Sequence, residues 1–538
     1  MSFDVVILGG RVINGAGAPW VRADIAVEDG VIVEIGYLKH PQADVVIKAD
    51  GLFVSPGFID IHNHSDLALL IDPIADSMIR QGVTTIAIGN CGLSVAPIRR
   101  EIIERFKKHV EAFAPAQVEW RWESFDDYLR VLEERGVGVN VVPLVGHGTI
   151  RANVLGFEPK EPSESELNEM KSLVEESMRA GAFGLTTGLI YLPGMYAGTD
   201  EIIELAKVAA KYGGIYASHI RSESFALIEA VSEAIEIGEK ASIPVEISHH
   251  KASGVENWGK VKTTLKLMED ARLRGVDVTC DVYPYTAGMT SLSALLPPWA
   301  QAGGVEEIID RLKQSSIRAK IVGEMRSGVK GKEDLLRGAG WDGIVVAYSK
   351  RHKEFEGKSL SEVAEIWGKD VFDAFFDLIV EDEGATMIVL HLMSEDDVRY
   401  VISHRLSMIA TDGWAVSPRG PMSAGKPHPR FYGTYPRVLA KYVRREKLLS
   451  LEEAVKKMSW MPAQKLGLWN RGLIAKGMVA DIVVFDFNSI EDKATFEDPH
   501  RYPDGIKYVL VNGELVIDDG KHTGKLAGRV LRRHFIAH

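Results

Sequence analysis

Six residues of the types that bind transition metals follow apolar runs in the sequence. They are His62, His64, Cys91, His219, His249 and Asp412. Alternate residues of a β-strand share one face, so the two histidines in IHNH can bind the same ion. Imidazole and thiolate groups suit Zn²⁺ better than Mg²⁺ or Ca²⁺. The six residues therefore predict a zinc site, provided that the fold brings their runs together.

Short apolar runs recur along the middle of the chain, with helical patterns between several of them. Eight of these runs span residues 57–64, 84–92, 140–148, 182–189, 215–221, 244–251, 276–285 and 407–413. Eight parallel strands with crossover helices predict a (β/α)₈ barrel, an α/β fold whose active site lies at the carboxyl ends of the strands. Since most of the runs end in a polar cluster, we expect the six candidate ligands at one mouth of the barrel.

The two ends of the chain have a different sequence pattern, in which short runs of alternating apolar and polar residues are broken by Gly and Asp-Gly turns. We expect residues 1–54 and 466–538 to pair in one small β domain beside a catalytic barrel over 55–465. Two further strand-like runs, 342–349 and 386–393, exceed the eight that a barrel needs. We assign them to an insertion at about 287–395, which is expected to cover the mouth of the barrel as a substrate lid.

Composition narrows the class of partner. The chain has 538 residues, 46% of them hydrophobic, and its 63 Lys and Arg against 75 Asp and Glu give a formal charge of −12. This balance argues against nucleic acid or an anionic membrane as the main partner and favours a small-molecule substrate. With two cysteines and an amino-terminal run that lacks a basic region before it, we expect a cytoplasmic protein. The oligomeric state stays open, a homo-oligomer included.

Longer motifs resemble a known family. The chain is similar to the amidohydrolase superfamily, metal-dependent hydrolases with a (β/α)₈ barrel beside a small β-sandwich, in PGFIDIHNHSD, in the TDG that contains Asp412 and in PAQKLGLWNRGLIAKGMVADIVVFD. It resembles more narrowly the N-acyl-D-amino-acid deacylases, or D-aminoacylases, in GNCGLSVAP, GLTTGLIYLPG, SHHKASG, DVYPYTAG and KPHPRFYGTYPRVL. The match spans nearly the whole chain.

The resemblance assigns roles to the six candidate ligands. It implies one tightly held zinc ion, bound by Cys91, His219 and His249, and a second, weaker metal position at His62 and His64. It also implies that Asp412 is the acid–base group. Many amidohydrolases bridge two metals with a carboxylated lysine on the fourth strand, but AFGLTTGL contains no lysine. This departure favours the deacylase branch, in which the cysteine takes that place.

The chemistry expected of these parts is amide hydrolysis. Zinc lowers the pKa of bound water towards about 7 and polarises a carbonyl, and Asp412 can take the proton of the water and pass it to the leaving amine. Arg430 is the best candidate to hold a free α-carboxylate with two hydrogen bonds, and Lys251 is the second cation. Tyr283 can donate to the carboxylate or to the developing oxyanion.

Three further residues receive structural interpretations. His147 closes the third run without a spacing partner, so we expect it to lie behind the site rather than in it. His250 follows His249 and should face the helices, because the period of a strand is two. Cys280 lies in mid-strand without a polar cluster and is expected in the core.

The predicted function is zinc-dependent removal of the acyl group from N-acyl-D-amino acids. Another amidohydrolase activity, on dipeptides or on cyclic amides as in hydantoinases and dihydropyrimidinases, is the alternative among enzymes. The missing lysine and Arg430 favour an open-chain substrate over a cyclic one. A non-catalytic barrel relative would be expected to have lost ligands, whereas every ligand position here is filled. Stereochemistry rests on the resemblance alone, and the sequence leaves the preferred side chain and the number of metals open.

Overall fold

The computed structural model describes residues 2–110, 116, 118–328 and 333–533. Its strands are β1 (Ser2–Val12), β2 (Val21–Glu28), β3 (Val31–Gly36), β4 (Gln42–Lys48), β5 (Phe53–Pro56), β6 (Phe58–Asp60), β7 (Val83–Ile88), β8 (Asn140–Pro143), β9 (Val145–Gly146), β10 (Gly184–Gly188), β11 (Ile215–His219), β12 (Val245–Ile247), β13 (Val278–Val282), β14 (Ala287–Ser291), β15 (Ile344–Tyr348), β16 (Met387–His391), β17 (Ser407–Ile409), β18 (Ile482–Phe485), β19 (Ile506–Val511), β20 (Glu514–Asp518) and β21 (Lys521–His522).

Helices fill most of the intervals between these strands. They are α1 (Ala68–Ile71), α2 (Asp76–Ile79), α3 (Ile103–Val110), α4 (Phe125–Arg135), α5 (His147–Leu155), α6 (Glu164–Ala180), α7 (Thr199–Lys211), α8 (Leu227–Ala241), α9 (Val261–Leu273), α10 (Pro298–Gln301), α11 (Val305–Leu312), α12 (Ser315–Ser327), α13 (Leu335–Ala339), α14 (Leu360–Trp367), α15 (Val371–Glu381), α16 (Glu395–Ser403), α17 (Arg430–Arg437), α18 (Leu451–Met458) and α19 (Trp460–Leu466). Among the described residues, none of the helices combines the length and apolarity needed to cross a membrane.

The parallel strands of the middle of the chain form two sheets. One contains β6, β7 and β8, and the other has the order β17-β13-β12-β11-β10-β9. Residues of these strands are almost entirely buried, as in β7, because helices cover one face and side chains from the other strands cover the second. A parallel bridge between Asn63 and Gly413 connects the segments that follow β6 and β17.

The strands end earlier than the sequence pattern indicated. β6 ends at Asp60 and β12 at Ile247, so His62, His64 and His249 lie in the loops that follow these strands. The prediction that His62 and His64 share a face as alternate residues of one strand was therefore wrong. The course of the loops, rather than the period of a strand, brings these imidazoles together.

The two additional strand-like runs form a sheet of their own. β15 and β16 pair antiparallel, and β14 pairs antiparallel with the other side of β16. In its strand pairing, this three-stranded sheet is separate from the two parallel sheets. Its strands enter the wall of the cleft described below.

The ends of the chain meet in one nine-stranded sheet. β5 pairs with β1 on one side and with β18 on the other, where Val54 lies opposite Val484. β2 and β3 are joined by Asp29-Gly30, whose positive φ angles of 51° and 75° suit a two-residue hairpin turn. Alternate apolar residues of these strands bury one face of the sheet in a separate core that contains Ile7, Ile25, Val27, Val54, Ile482 and Val484.

Candidate metal centre

Cys91 lies at the centre of a group of imidazoles. Its Sγ is 3.3 Å from His62 Nε2, 3.5 Å from His249 Nε2 and 3.7 Å from His219 Nδ1. Burial raises the pKa of the Cys91 thiol, but the neighbouring histidines, His62 foremost, outweigh burial and hold that pKa well below its ordinary value. The thiolate is the form of cysteine that binds metals, so the group is suited to a cation.

Two overlapping sets of donor atoms are present among the described residues. Cys91, His219 and His249 form one set, and His62, His64, Cys91 and Asp412 form the other, with the donor atoms within 4.8 Å of one another in each. In the second set, Asp412 Oδ1 lies 3.2 Å from His64 Nε2 and 3.5 Å from His62 Nε2. Imidazole nitrogens with one thiolate are a donor set that fits Zn²⁺.

Unusual backbone angles turn three of these side chains inward. Cys91, His249 and Asp412 have φ angles of 52°, 36° and 48°, in the left-handed region that costs a residue other than glycine about 1–3 kcal/mol. Backbone hydrogen bonds offset part of this strain at two of the residues. Asp412 N donates to His62 O at 2.9 Å, and His249 N donates to Asp281 Oδ1 at 2.8 Å. Strained residues of this kind cluster at functional sites, where the surrounding structure holds them in place.

Arg430 forms a buried ion pair with Asp412. Its Nη1 lies 2.8 Å from Asp412 Oδ2, and the Arg430 side chain is 2% exposed. Burial raises the pKa of the Asp412 carboxyl, but the surrounding cations, Arg430 foremost, outweigh burial and hold it well below the ordinary range. Asp412 is therefore an ionised carboxylate that can accept a proton.

The three residues expected to bind substrate lie beside the two donor sets. The guanidinium carbon of Arg430 lies 4.6 Å from the centre of the Tyr283 ring, and Lys251 Nζ lies 5.5 Å from the same centre. The Tyr283 hydroxyl donates to Met393 Sδ at 3.8 Å. The structure thus brings Lys251, Tyr283 and Arg430 to one wall of the site, although their roles in binding stay predictions.

Two carboxylates of the site were missed by the sequence reasoning. Glu223 Oε1 lies 2.8 Å from His249 Nδ1 and 2.6 Å from Lys251 Nζ. Asp281 Oδ2 lies 3.6 Å from His62 Nδ1. The only signal for Glu223 was an acid four residues after His219 in an otherwise polar loop, and Asp281 followed a cysteine inside a predicted strand.

His147, His250 and Cys280 lie outside the two donor sets. His147 is the first residue of α5, and its Nε2 lies 2.8 Å from Glu201 Oε1. His250 Nε2 lies 2.8 Å from Thr264 Oγ1 of α9, so this ring faces a helix. Cys280 is buried within β13, and burial raises the pKa of its thiol well above the ordinary value.

A cleft of about 1250 Å³, its open mouth included, leads to the donor sets. His64, Cys91, His219, His249 and Asp412 are among the residues that line it. Much of its wall is apolar and includes Leu93, Ile190, Leu192, Met289, Met387 and Leu392. Since Met289 belongs to β14 and Met387 to β16, the additional antiparallel sheet supplies part of this wall.

Residues 45–517 match the model of the Amidohydrolase family. The chain belongs to this family, and the resemblance found in the motifs is confirmed. It is 37% identical over 536 residues to the D-aminoacylase of Alcaligenes xylosoxydans xylosoxydans, with 99% of this chain and 98% of that protein covered.

Solved structures give the same relationship in three dimensions. The N-acyl-D-glutamate deacylase from Bordetella bronchiseptica, complexed with zinc and a phosphonate inhibitor that mimics the tetrahedral intermediate, is similar with a TM-score of 0.82. The two are 32% identical, with 99% of this chain and 100% of that chain covered. The L-hydantoinase (dihydropyrimidinase) from Arthrobacter aurescens covers 98% of this chain with its full length, at a TM-score of 0.56 and 16% identity. That likeness shows a shared fold alone.

Proposed function

We propose that this protein is a zinc-dependent hydrolase that removes the acyl group from N-acyl-D-amino acids. The observation that carries the proposal is the convergence of Cys91, His219 and His249 on one point, with Asp412 beside them. Full-length similarity to a D-aminoacylase and to a zinc-complexed deacylase supports the same reading.

Cys91, His219 and His249 would hold a tightly bound zinc ion, and His62, His64 and Asp412 would form a second, weaker position. When bound, zinc supplies a lowered pKa for water and polarises the scissile carbonyl. Sharing of Cys91 between the two donor sets supports unequal occupancy, because a thiolate engaged by one ion has less charge to offer a second.

Asp412 would act as the general base and then as the general acid. Its Oδ1 faces the imidazoles of His62 and His64, while Oδ2 is held by Arg430. The carboxylate takes a proton from the attacking water and passes it to the amine nitrogen as the C–N bond breaks. A carboxylate held ionised by neighbouring cations is in the correct state for the first transfer.

Lys251, Tyr283 and Arg430 would bind the free carboxylate of the substrate. A cationic pair beside one hydroxyl offers charge-assisted hydrogen bonds to a carboxylate, and the planar guanidinium adds orientation. Both cations lie near the ring of Tyr283, which supports the binding of one ligand by all three residues. An open-chain substrate with a free α-carboxylate satisfies this arrangement.

The apolar wall favours a substrate with an apolar side chain. Among the described cations at the cleft, Lys108 forms an ion pair with Glu306, and burial lowers the pKa of His109 to about 4, which leaves that imidazole neutral near pH 7. Lys251 forms an ion pair with Glu223, and Arg430 forms one with Asp412, both beside the donor sets. The insertion at about 287–395 would act as the lid and select the side chain through Met289 and Met387.

The architecture proposed for this function is a closed (β/α)₈ barrel over 55–465 with a small β-sandwich formed by 1–54 and 466–538. The bridge between Asn63 and Gly413 joins one pair of edges of the two parallel sheets. At the other pair of edges, Phe183, just before β10, donates its N–H to Pro143 O of β8 at 2.8 Å and supports continuity. The separate core of the nine-stranded sheet supports a second domain.

A parallel assay of the zinc-loaded protein tests this function. N-acetyl-D-leucine and N-acetyl-L-leucine would be compared, with N-acetyl-D-glutamate, a D-leucine-containing dipeptide and hydantoin as further substrates. We expect release of acetate and free D-leucine, with at least tenfold lower kcat/KM for the L-isomer and for the acidic side chain. Hydrolysis of hydantoin alone, or of the dipeptide alone, would overturn the proposal.

A further inference from the structure

Glu223 is a buried carboxylate that faces the outer nitrogens of two candidate zinc ligands. Its Oε1 lies 2.8 Å from His249 Nδ1, and its Oε2 lies 4.0 Å from His219 Nε2. The other nitrogen of each imidazole, His249 Nε2 and His219 Nδ1, faces Cys91 Sγ. One carboxylate therefore lies on the outer side of two imidazole rings whose inner nitrogens both face Cys91 Sγ.

Glu223 also pairs with the ammonium group of Lys251. Lys251 Nζ lies 2.6 Å from Glu223 Oε1 and 2.8 Å from His249 Nδ1. An ammonium group has donors only, so it cannot accept a proton from the imidazole. Glu223 can accept from both, and it can thereby keep Nδ1 of His249 protonated and Nε2 free to bind a metal.

The position of Glu223 is fixed from two sides of its backbone. Its N–H donates to Glu333 Oε2 of the insertion at 2.6 Å, and its carbonyl accepts from Ser253 N at 2.7 Å. Its carboxylate forms an ion pair with Lys251, whose Nζ lies 2.6 Å from Oε1. The backbone contacts and this ion pair hold the side chain in place as an acceptor.

We propose that Glu223 is a positioning residue, which fixes the ring orientation and tautomer of His249 by accepting from its Nδ1 and which neutralises the Lys251 ammonium beside that nitrogen. The proposal rests on the zinc site proposed above. Histidines that bind metals donate their other ring N–H to an acceptor, often a carboxylate, and loss of that acceptor typically costs 10–100-fold in metal affinity. The spacing of four residues from His219 does not by itself indicate this role, because the role depends on the path of the loop after β11.

The variant Glu223→Gln tests the inference by metal binding rather than by activity. Its shape is retained, but the charge that holds Lys251 is lost, so the ammonium can donate to His249 Nδ1 and favour the wrong tautomer. We expect about a 10–100-fold lower zinc affinity in competition with a chelator of known affinity. In the cobalt-substituted protein, the thiolate-to-cobalt absorption should weaken or shift, because Cys91 and the imidazoles no longer share one ion in the same geometry.

Glu333→Gln is the matched control, since a glutamine at this position keeps an oxygen that accepts from Glu223 N. It should bind zinc within about twofold of the unchanged protein. Unchanged zinc affinity and cobalt spectrum in Glu223→Gln, or an equal loss in Glu333→Gln, would overturn the positioning role. If the unchanged protein itself binds no zinc, the proposed function fails instead, so the two failures are distinguishable.

Discussion

Asp412 divides its two oxygens between the candidate metal ligands and a buried arginine. Oδ1 faces His62 and His64, and Oδ2 lies 2.8 Å from Arg430 Nη1. The sequence reasoning assigned Arg430 to the substrate, and the structure adds a second contact that the sequence did not indicate. Arg430 can serve both groups, because a guanidinium has five N–H donors.

Replacing Asp412 by Asn should abolish turnover with little loss of the tightly held zinc. The amide keeps the shape of the side chain but cannot accept a proton, and general base catalysis contributes about 10²–10⁴-fold. We therefore expect kcat to fall by at least about 100-fold for N-acetyl-D-leucine. Zinc content, measured by atomic absorption, should stay near that of the unchanged protein because Cys91, His219 and His249 are intact. A kcat within tenfold of the original would show that another group moves the proton.

Replacing Arg430 by Ala distinguishes its proposed contact with the substrate carboxylate from its contact with Asp412. Loss of a charged hydrogen bond costs about 1.5–3 kcal/mol, so KM for N-acetyl-D-leucine should rise roughly 10–100-fold. KM for the corresponding carboxamide should change little, since that substrate has no carboxylate for Arg430 to hold. Steady-state kinetics on both substrates gives the comparison, with the exposed Arg419→Ala as a control that leaves both KM values unchanged. An equal effect on the two substrates would mean that Arg430 acts only through Asp412.

The loops that follow the strands, rather than the strands themselves, determine the geometry of the site. The types of residue and their position after apolar runs predicted that these six side chains would lie close together, because parallel strands place their carboxyl ends together. The sequence could not predict the left-handed backbone of Cys91, His249 and Asp412, since these residue types seldom adopt it. Glu223 was not predicted for a different reason: its contacts depend on the three-dimensional path of a loop without periodicity.

A buried polar network joins α5 to α7. Glu201 accepts from His147 at 2.8 Å and forms an ion pair with Arg151, whose side chain is fully buried. Glu201→Gln leaves the Arg151 charge uncompensated, and breaking a buried pair costs about 3–5 kcal/mol. We expect the free energy of unfolding in urea to fall by this amount.

Glu175→Gln provides the comparison for this network. Glu175 pairs with Arg179 within α6, where both side chains are substantially exposed. Exposed pairs contribute about 0–1 kcal/mol, so this variant should unfold at nearly the original urea concentration. Equal losses in the two variants would contradict a special contribution of the buried network.

At the scale of the whole molecule, the alternating patterns at both chain ends indicated that these ends belong together. The observed nine-stranded sheet combines them through β5. The register of Val54 opposite Val484 could not be read from the sequence, because many alternating apolar segments would match β5 equally well. The pairing of β14 with β16 was equally hidden, since antiparallel partners far apart in the chain share no local signal.

The central place of β5 in the terminal sheet has a consequence for synthesis on the ribosome. β5 leaves the exit tunnel early, but its neighbour β18 is translated only after the entire middle of the chain. Until then, one edge of β5 carries unpaired peptide groups of the kind that recruit foreign strands. The nascent polypeptide must shield this edge through most of its elongation, so a truncated product that stops before β18 is exposed to aggregation along it.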